Sequence, residues 1–259
     1  MALDLYADLG TGTAPSGAQQ LDEHHPGRRA FDELGGTGPV WMRCSIPMAR
    51  GLGFSGAVRV AAAALAAVQT GGGAPDAIHD RRDDILGVTA RLEGHGDNVA
   101  ASLVGGVTAY VEGMVVPFVV GPTLAASAFV AWVPDVTTST DRSRRTLPEA
   151  VGRSAAVHNI GRSVQFALAF AHDDPELLTL ATDDRLHQSE RLGAVPGASD
   201  AMSAGVEAGA WCAWLSGSGP TVGFLADPDR SASVAASLPA GGHAKILSID
   251  TVGARVLGS

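Results

Sequence analysis

Between Val40 and Ile46 the chain alternates, Val40, Met42, Cys44 and Ile46 standing against Trp41, Arg43 and Ser45. A period of two is that of a strand with one face buried. From Val58 to Gln69 the pattern becomes a run of alanine with Val58, Val60, Leu65 and Val68 among them, which predicts a buried helix. The segment between the two carries Gly51, Gly53 and Gly56. A strand therefore enters a glycine-rich loop that opens into a helix N-terminus. Such a terminus offers unfilled backbone N–H groups and the positive end of the helix dipole, and glycine lets the backbone approach an anion closely. Two readings stand at this point: a phosphate site, or a structural glycine turn.

Around this centre the periodicity predicts a strand over residues 1–9, a polar glycine-rich connection over 10–30, and a short helix Arg28–Leu34 ending at Gly35-Gly36. His24-His25 in that connection reads as solvated. Gly71-Gly72-Gly73-Ala74-Pro75 is a break, after which Asp76 can cap a helix with Ile78, Ile85 and Leu92 seven apart. Val107–Glu112, Gly113 and Met114–Val120 predict a hairpin, and Ala126–Val133 a strand stopped by Pro134-Asp135. Helices are expected over 150–172, 175–187 and 199–209. The end alternates strand, strand, helix and strand over Trp211–Ser216, Thr221–Ala226, Asp229–Leu238 and His243–Asp250. Strands and helices mix in both halves without regular βαβα alternation, which favours an α+β fold. The expected domains are 1–149 and 150–259.

At 259 residues, 46% hydrophobic and 17% charged, the chain can bury real cores and is not a disordered sequence. A net charge of −9 argues against nucleic acid or an anionic membrane as partner, while leaving room for an anionic small molecule in a cationic pocket. Cys44 and Cys212 lack metal-type spacing and read as buried thiols in a reducing cytoplasm. Neither a signal peptide nor an apolar run of membrane-spanning length is visible. The expected partner is a small molecule, with a homodimer as a candidate assembly.

Three further groupings carry chemistry. Asp97-Asn98 can orient an alcohol and accept its proton, or can cap the helix that follows. Among five arginines, Arg142, Arg145 and Arg185 read as a solvated face, while Arg144 and Arg191 offer guanidinium forks that can match a carboxylate. Leu215-Ser216-Gly217-Ser218-Gly219-Pro220-Thr221 is a glycine turn between apolar strands.

Pro47-Met48-Ala49-Arg50-Gly51-Leu52-Gly53-Phe54-Ser55-Gly56-Ala57 resembles the second motif of the GHMP kinases, P-x-x-x-G-L-G-S-S-A-A. Phe54 replaces the first serine and Gly56 the first alanine. It is neither a Walker A loop nor a Rossmann fingerprint. Glu93-Gly94-His95-Gly96-Asp97-Asn98-Val99-Ala100 resembles E-G-H-P-D-N-V-A of the homoserine kinases within that family. Val133-Pro134-Asp135 with Ser139–Pro148, Asp184–Arg191, Ser216–Thr221, Val157-His158-Asn159-Ile160 and Val195-Pro196-Gly197 resemble further stretches of the same group.

The resemblance implies a ribosomal-S5-like N-terminal domain and a ferredoxin-like C-terminal domain. It implies ATP as donor and L-homoserine as acceptor, on the way to threonine. Pro47, Arg50, Gly51, Leu52, Gly53, Ser55 and Gly56 would hold the nucleotide. Asp97 and Asn98 would face the substrate hydroxyl, with His95, Gly217 and Gly219 lining the pocket and Arg144 and Arg191 gripping the α-carboxylate. Mg²⁺ would rest on Ser55 and a glutamate. The family pattern E-x-E-G-H puts that glutamate at Arg91, leaving Glu93, two residues on and expected on another helix face, as the substitute. Another GHMP kinase with a different alcohol, and a non-catalytic member, are the alternatives. Met1–Tyr6 resembles the end of the family's opening run, so the segment P-A-S-S-A-N-L-G-P-G-F-D is expected in frame upstream of Met1.

Overall fold

The computed structural model describes residues 1–137 and 147–257, which form two compact units. The first comprises Met1–Ile46, Gly53–Pro117 and Asp250–Ser259; the second comprises Pro47–Leu52 and Phe118–Ile249.

In the first unit, β1 (Ala7–Thr11), β2 (Gln19–Gln20) and β3 (Val40–Cys44) make an antiparallel sheet in the order β1-β3-β2. The strand expected over residues 1–9 is thus shifted to 7–11, and residue 2 bonds instead to Gly106 and Asp250 through its backbone. Helix α1 (Pro26–Glu33) begins two residues before the expected start. Proline at the first position loses no needed N–H, and His25 Nδ1 accepts from Gly27 N at 3.2 Å. Helix α2 (Phe54–Thr70) fills the core with alanines at 62, 63, 64, 66 and 67. Small side chains let α1 and two later helices, α4 (Arg82–Glu93) and α5 (Asp97–Val104), pack on it around Phe31, Val60, Ile85, Val99 and Leu103. Between them lies α3 (Ala77–Asp80). The hairpin β4 (Thr108–Val111) and β5 (Met114–Pro117) turns at Glu112 and Gly113. Both have positive φ, as a two-residue loop of the I′ kind requires.

In the second unit, β6 (Ala128–Pro134), β7 (Ala210–Leu215), β8 (Val222–Ala226) and β9 (Gly242–Ser248) form a sheet in the order β7-β8-β6-β9, every neighbour antiparallel. Helical segments run from β6 to β7: α6 (Arg153–His172), a 3₁₀ turn Pro175–Leu177, α7 (Leu178–Ala181), α8 (Gln188–Leu192) and α9 (Ala198–Glu207). Helix α10 (Pro228–Ser237) joins β8 to β9. This β-α-β-β-α-β order is the ferredoxin-like arrangement. Phe224, Trp132, Val130, Ala201 and Val234 build its core, and Gly205 lacks the Cβ that the Phe224 ring would meet. Cys212 is buried on β7, and burial pushes its thiol pKa up to about 12.

The boundary expected at 149/150 falls inside this second unit. Strand β6 reads as the end of the first half by sequence distance, yet it pairs with β8 and β9. The helix expected over 175–187 is also interrupted: residues 182–187 are not helical. Among the described residues, no helix is long and apolar enough to cross a membrane.

Candidate active site

Helix α2 starts at Gly53, whose φ of 77° is left-handed and whose cap position supplies no side-chain acceptor. The first-turn N–H groups of Phe54, Ser55 and Gly56 therefore lack the side-chain cap that a Ser or Asp would give. Asn98, on the first turn of α5, sits against this terminus. A Cβ on Gly56 would stand 3.2 Å from Asn98 Cβ and 3.4 Å from Val99 Cγ1, and one on Gly53 would be 4.0 Å from Asn98 Cγ. The alanine that the family has at Gly56 would press on Asn98, so glycine eases this approach of α5.

The loop from Glu93 to Asn98 is shaped by two glycines. Gly94 ends α4 with φ 80°. Gly96 carries no Cβ because the Tyr110 ring lies there, so Tyr110 is a wall of this loop that local motif reading does not reveal. Asp97 Oδ1 accepts from Asn98 N at 2.9 Å and lies 2.5 Å from His95 Nδ1. His95 Nε2 in turn stands 3.9 Å from Glu93 Oε1. The cap position of α5 is Gly96, so Asp97 is not the side-chain cap that the sequence offered; it is the first residue of the helix, and three-quarters of its side chain is open to solvent.

Glu93, not position 91, faces α2. Ser55 Oγ and Glu93 Oε2 are 2.8 Å apart, whereas Arg91 pairs with Glu33 of α1. Positions two apart on a helix lie about 200° around the axis, so the two side chains cannot share a face. Glu93 and position 91 thus stand on different faces, as expected, and it is the face of Glu93 that meets Ser55. The Arg91 hydrogen bond holds the Glu33 carboxyl below its ordinary pKa. The Ser55–Glu93 pair also has a third member, since Arg59 Nη1 donates to both oxygens. No three His, Cys, Asp or Glu side chains among the described residues are grouped to hold a metal ion. With its one carboxylate already bridged by a guanidinium, this donor set does not fit a Mg²⁺ held by the protein.

In the second unit the loop Pro47–Leu52 packs on the turn Ser216–Gly219. Ser216 Oγ donates to Gly51 O at 2.8 Å, and Thr221 N donates to Arg50 O at 3.3 Å. Gly51, at φ 75°, lacks a Cβ that would strike the Ser216 and Gly219 carbonyl oxygens. Gly217 and Gly219 also have positive φ. Arg50 turns its guanidinium to the carbonyls of Pro134 and Val136, which ties the loop to the end of β6. The 139–146 stretch with Arg142, Arg144 and Arg145 lies outside the described residues.

Arg191, on α8, donates from Nη1 to Gly217 O at 3.1 Å. A carboxylate ahead of it organises this region. Asp184 Oδ1 accepts from Leu186, His187 and Gln188 N at 2.7–2.9 Å, and Oδ2 accepts from Asn159 Nδ2 at 2.7 Å. Burial works against ionisation of Asp184, but the His187 and Gln188 N–H groups and Asn159 outweigh it and hold its pKa below the ordinary value. Burial likewise pulls the His187 pKa down, with Asp184 opposing. Gln188 completes the frame by accepting from Leu215 N at 2.8 Å. The two family-like stretches around Asn159 and Asp184 thus meet in space.

The chain matches the model of the GHMP kinases N terminal domain over residues 21–106 and that of the GHMP kinases C terminal over 166–244. It belongs to the GHMP kinases, a family that uses ATP as phosphate donor. Within it, many relatives of the chain are homoserine kinases. That of Desulfitobacterium hafniense is 37% identical over 82% of this chain and 72% of the relative. That of Streptomyces avermitilis is 36% identical over 99% and 89%. The crystal structure of homoserine kinase from Cytophaga hutchinsonii superposes with a TM-score of 0.75 at 23% identity, covering 88% of this chain and 76% of that one, and shows the same fold.

Proposed function

We propose that this chain transfers the γ-phosphoryl group of ATP to the hydroxyl of L-homoserine, releasing ADP and O-phospho-L-homoserine. The observation that carries this reading is the approach of Asn98 to Gly53 and Gly56. An amide with the donor and the acceptor to bind an alcohol, next to a helix terminus suited to phosphate, supports this reading. The names of the relatives supply the substrate.

In this reading the first turn of α2, from Gly53 through Ser55 and Gly56, receives the phosphates, with Pro47, Arg50, Gly51 and Leu52 shaping the loop before it. Asn98 and Asp97 orient the acceptor hydroxyl, Asp97 being aimed by its contact with His95. Arg191 and Arg144 provide guanidinium forks for the α-carboxylate, and Gly217 and Gly219 keep that lining open. Transfer then needs in-line positioning and stabilisation of charge more than early proton removal.

The test is ADP release by the purified chain with ATP and Mg²⁺ in the presence of homoserine, threonine, mevalonate or pantoate. Release with homoserine alone is expected. Release with another alcohol would assign a different acceptor, and binding without release would make the chain a non-catalytic member.

A further inference from the structure

Ser55 and Arg59 lie one helical turn apart on α2, so their side chains share a face. Glu93 reaches that face from the last position of α4. Arg59 Nη1 donates to Ser55 Oγ and to Glu93 Oε2, and those two oxygens are themselves 2.8 Å apart. The Arg59 and Glu93 side chains are only 17% and 10% exposed. An unpaired carboxylate with so little water is costly, so each charge depends on the other. Arg59 keeps this contact although its Nε is buried without a hydrogen-bond partner among the described residues.

This point, between a hydroxyl and a carboxylate oxygen at the first turn of α2, is where a divalent ion would bind if the protein held one. We propose that Arg59 is the fixed cation of this seat. It keeps divalent metal off Ser55 and Glu93, so that metal reaches the site on the phosphates of the nucleotide and without a protein carboxylate. The inference rests on reading the chain as an ATP-dependent kinase. Its first test needs neither nucleotide nor turnover.

Mn²⁺ alone, a hard ion that accepts the same oxygen donors as Mg²⁺, is titrated into the folded protein and the free ion is followed by electron paramagnetic resonance. Wild type should show no binding that depends on Glu93. Arg59→Leu should gain a site about tenfold tighter or more, and adding Glu93→Gln should abolish the gain. Glu93-dependent binding in wild type equal to that of Arg59→Leu would overturn the proposal. So would a folded Arg59→Leu that gains nothing. Because Arg59→Leu leaves Glu93 unpaired at a cost to folding, a second comparison uses wild type and Glu93→Gln with Mn²⁺–ADP. Affinities within about twofold are expected, whereas a loss of about tenfold would place Glu93 on the metal and overturn the proposal. If the chain released ADP with no alcohol at all, the kinase reading would fail while the Mn²⁺ titration still decided the role of Arg59.

Discussion

Asp97 serves two neighbours with one oxygen, accepting the Asn98 N–H and meeting His95 Nδ1 through Oδ1. This separates its roles experimentally. Asp97→Asn and Asn98→Ala should each lower kcat by roughly a hundredfold, the range for a lost proton-handling or orienting group. Losing the hydrogen bond that Asp97 accepts from Asn98 N should cost about 1 kcal/mol of stability, measured by urea denaturation. Full activity per folded molecule would remove both residues from the chemistry. Arg91 makes the complementary case. Its partner is Glu33, and both lie on the surface side of α4 and α1. Arg91→Glu, which restores the family's carboxylate in sequence, should therefore leave the Mg²⁺ dependence of turnover unchanged. It should destabilise the fold by about 0.5–1 kcal/mol through like charges at Glu33. A changed Mg²⁺ requirement would show that α4 can rotate to present position 91. From sequence, the donor types at 93, 95, 97 and 98 were all legible. Arg59 was not, because a lone arginine inside an alanine helix carries no motif, and only the packing of α4 on α2 brings it to Glu93.

At the scale of elements, the turn before α8 shows why periodicity failed there. The sequence from 175 to 187 has helix-forming composition, but Asp184 takes the N–H groups of Leu186, His187 and Gln188 that a continuing helix would give to carbonyls. Such competition depends on Asn159 arriving from α6 to hold the other carboxylate oxygen, which is invisible in a local window. Asp184→Asn keeps an acceptor for the turn but sets an amide opposite the Asn159 amide. It should cost about 1–3 kcal/mol. The pH dependence has a defined sign. A carboxylate whose folded pKa is depressed adds stability that is fully present above its unfolded value and is lost as pH falls through the folded value. Wild type should therefore lose stability below about pH 4 more steeply than Asp184→Asn, as acid titration by circular dichroism would read. Equal slopes would remove Asp184 as the acid-sensitive group.

On the scale of the whole chain, the α+β class and the ferredoxin-like half were readable, because alternation and glycine turns mark β7 to β9 clearly. The division at 149/150 was not. A boundary inferred from composition follows sequence distance, while a sheet recruits β6 across more than a hundred residues, as in the pairing of Ala128 with Ser248. A fragment of residues 150–259 lacks β6, the strand between β8 and β9, and leaves two long edges unpaired. That fragment should be insoluble, whereas residues 118–249 retain all four strands and should give a soluble fraction with strand signal. Solubility in the opposite order would show that the shorter unit is sufficient. The return of Asp250 and Ala254 to bond with Ala2, Gly106 and Leu103 was equally hidden, since nothing in a short C-terminal stretch without periodicity announces its partners.

Two thiols, one on β3 and one on β7, give each unit its own chemical clock. Burial raises the pKa of both, but Cys44 is only partly enclosed while Cys212 is shut within the sheet and its thiol stands near 12. An alkylating reagent consumes thiolate, so at mildly alkaline pH it should modify Cys44 in the folded protein and reach Cys212 only during excursions that open the second unit. The Cys212 modification rate, resolved by mass spectrometry against Cys44, should then track the opening free energy of that unit and slow when ligand binding restrains it. Simultaneous labelling at both positions in native buffer would mean that the β7 face is breached far more often than its burial implies.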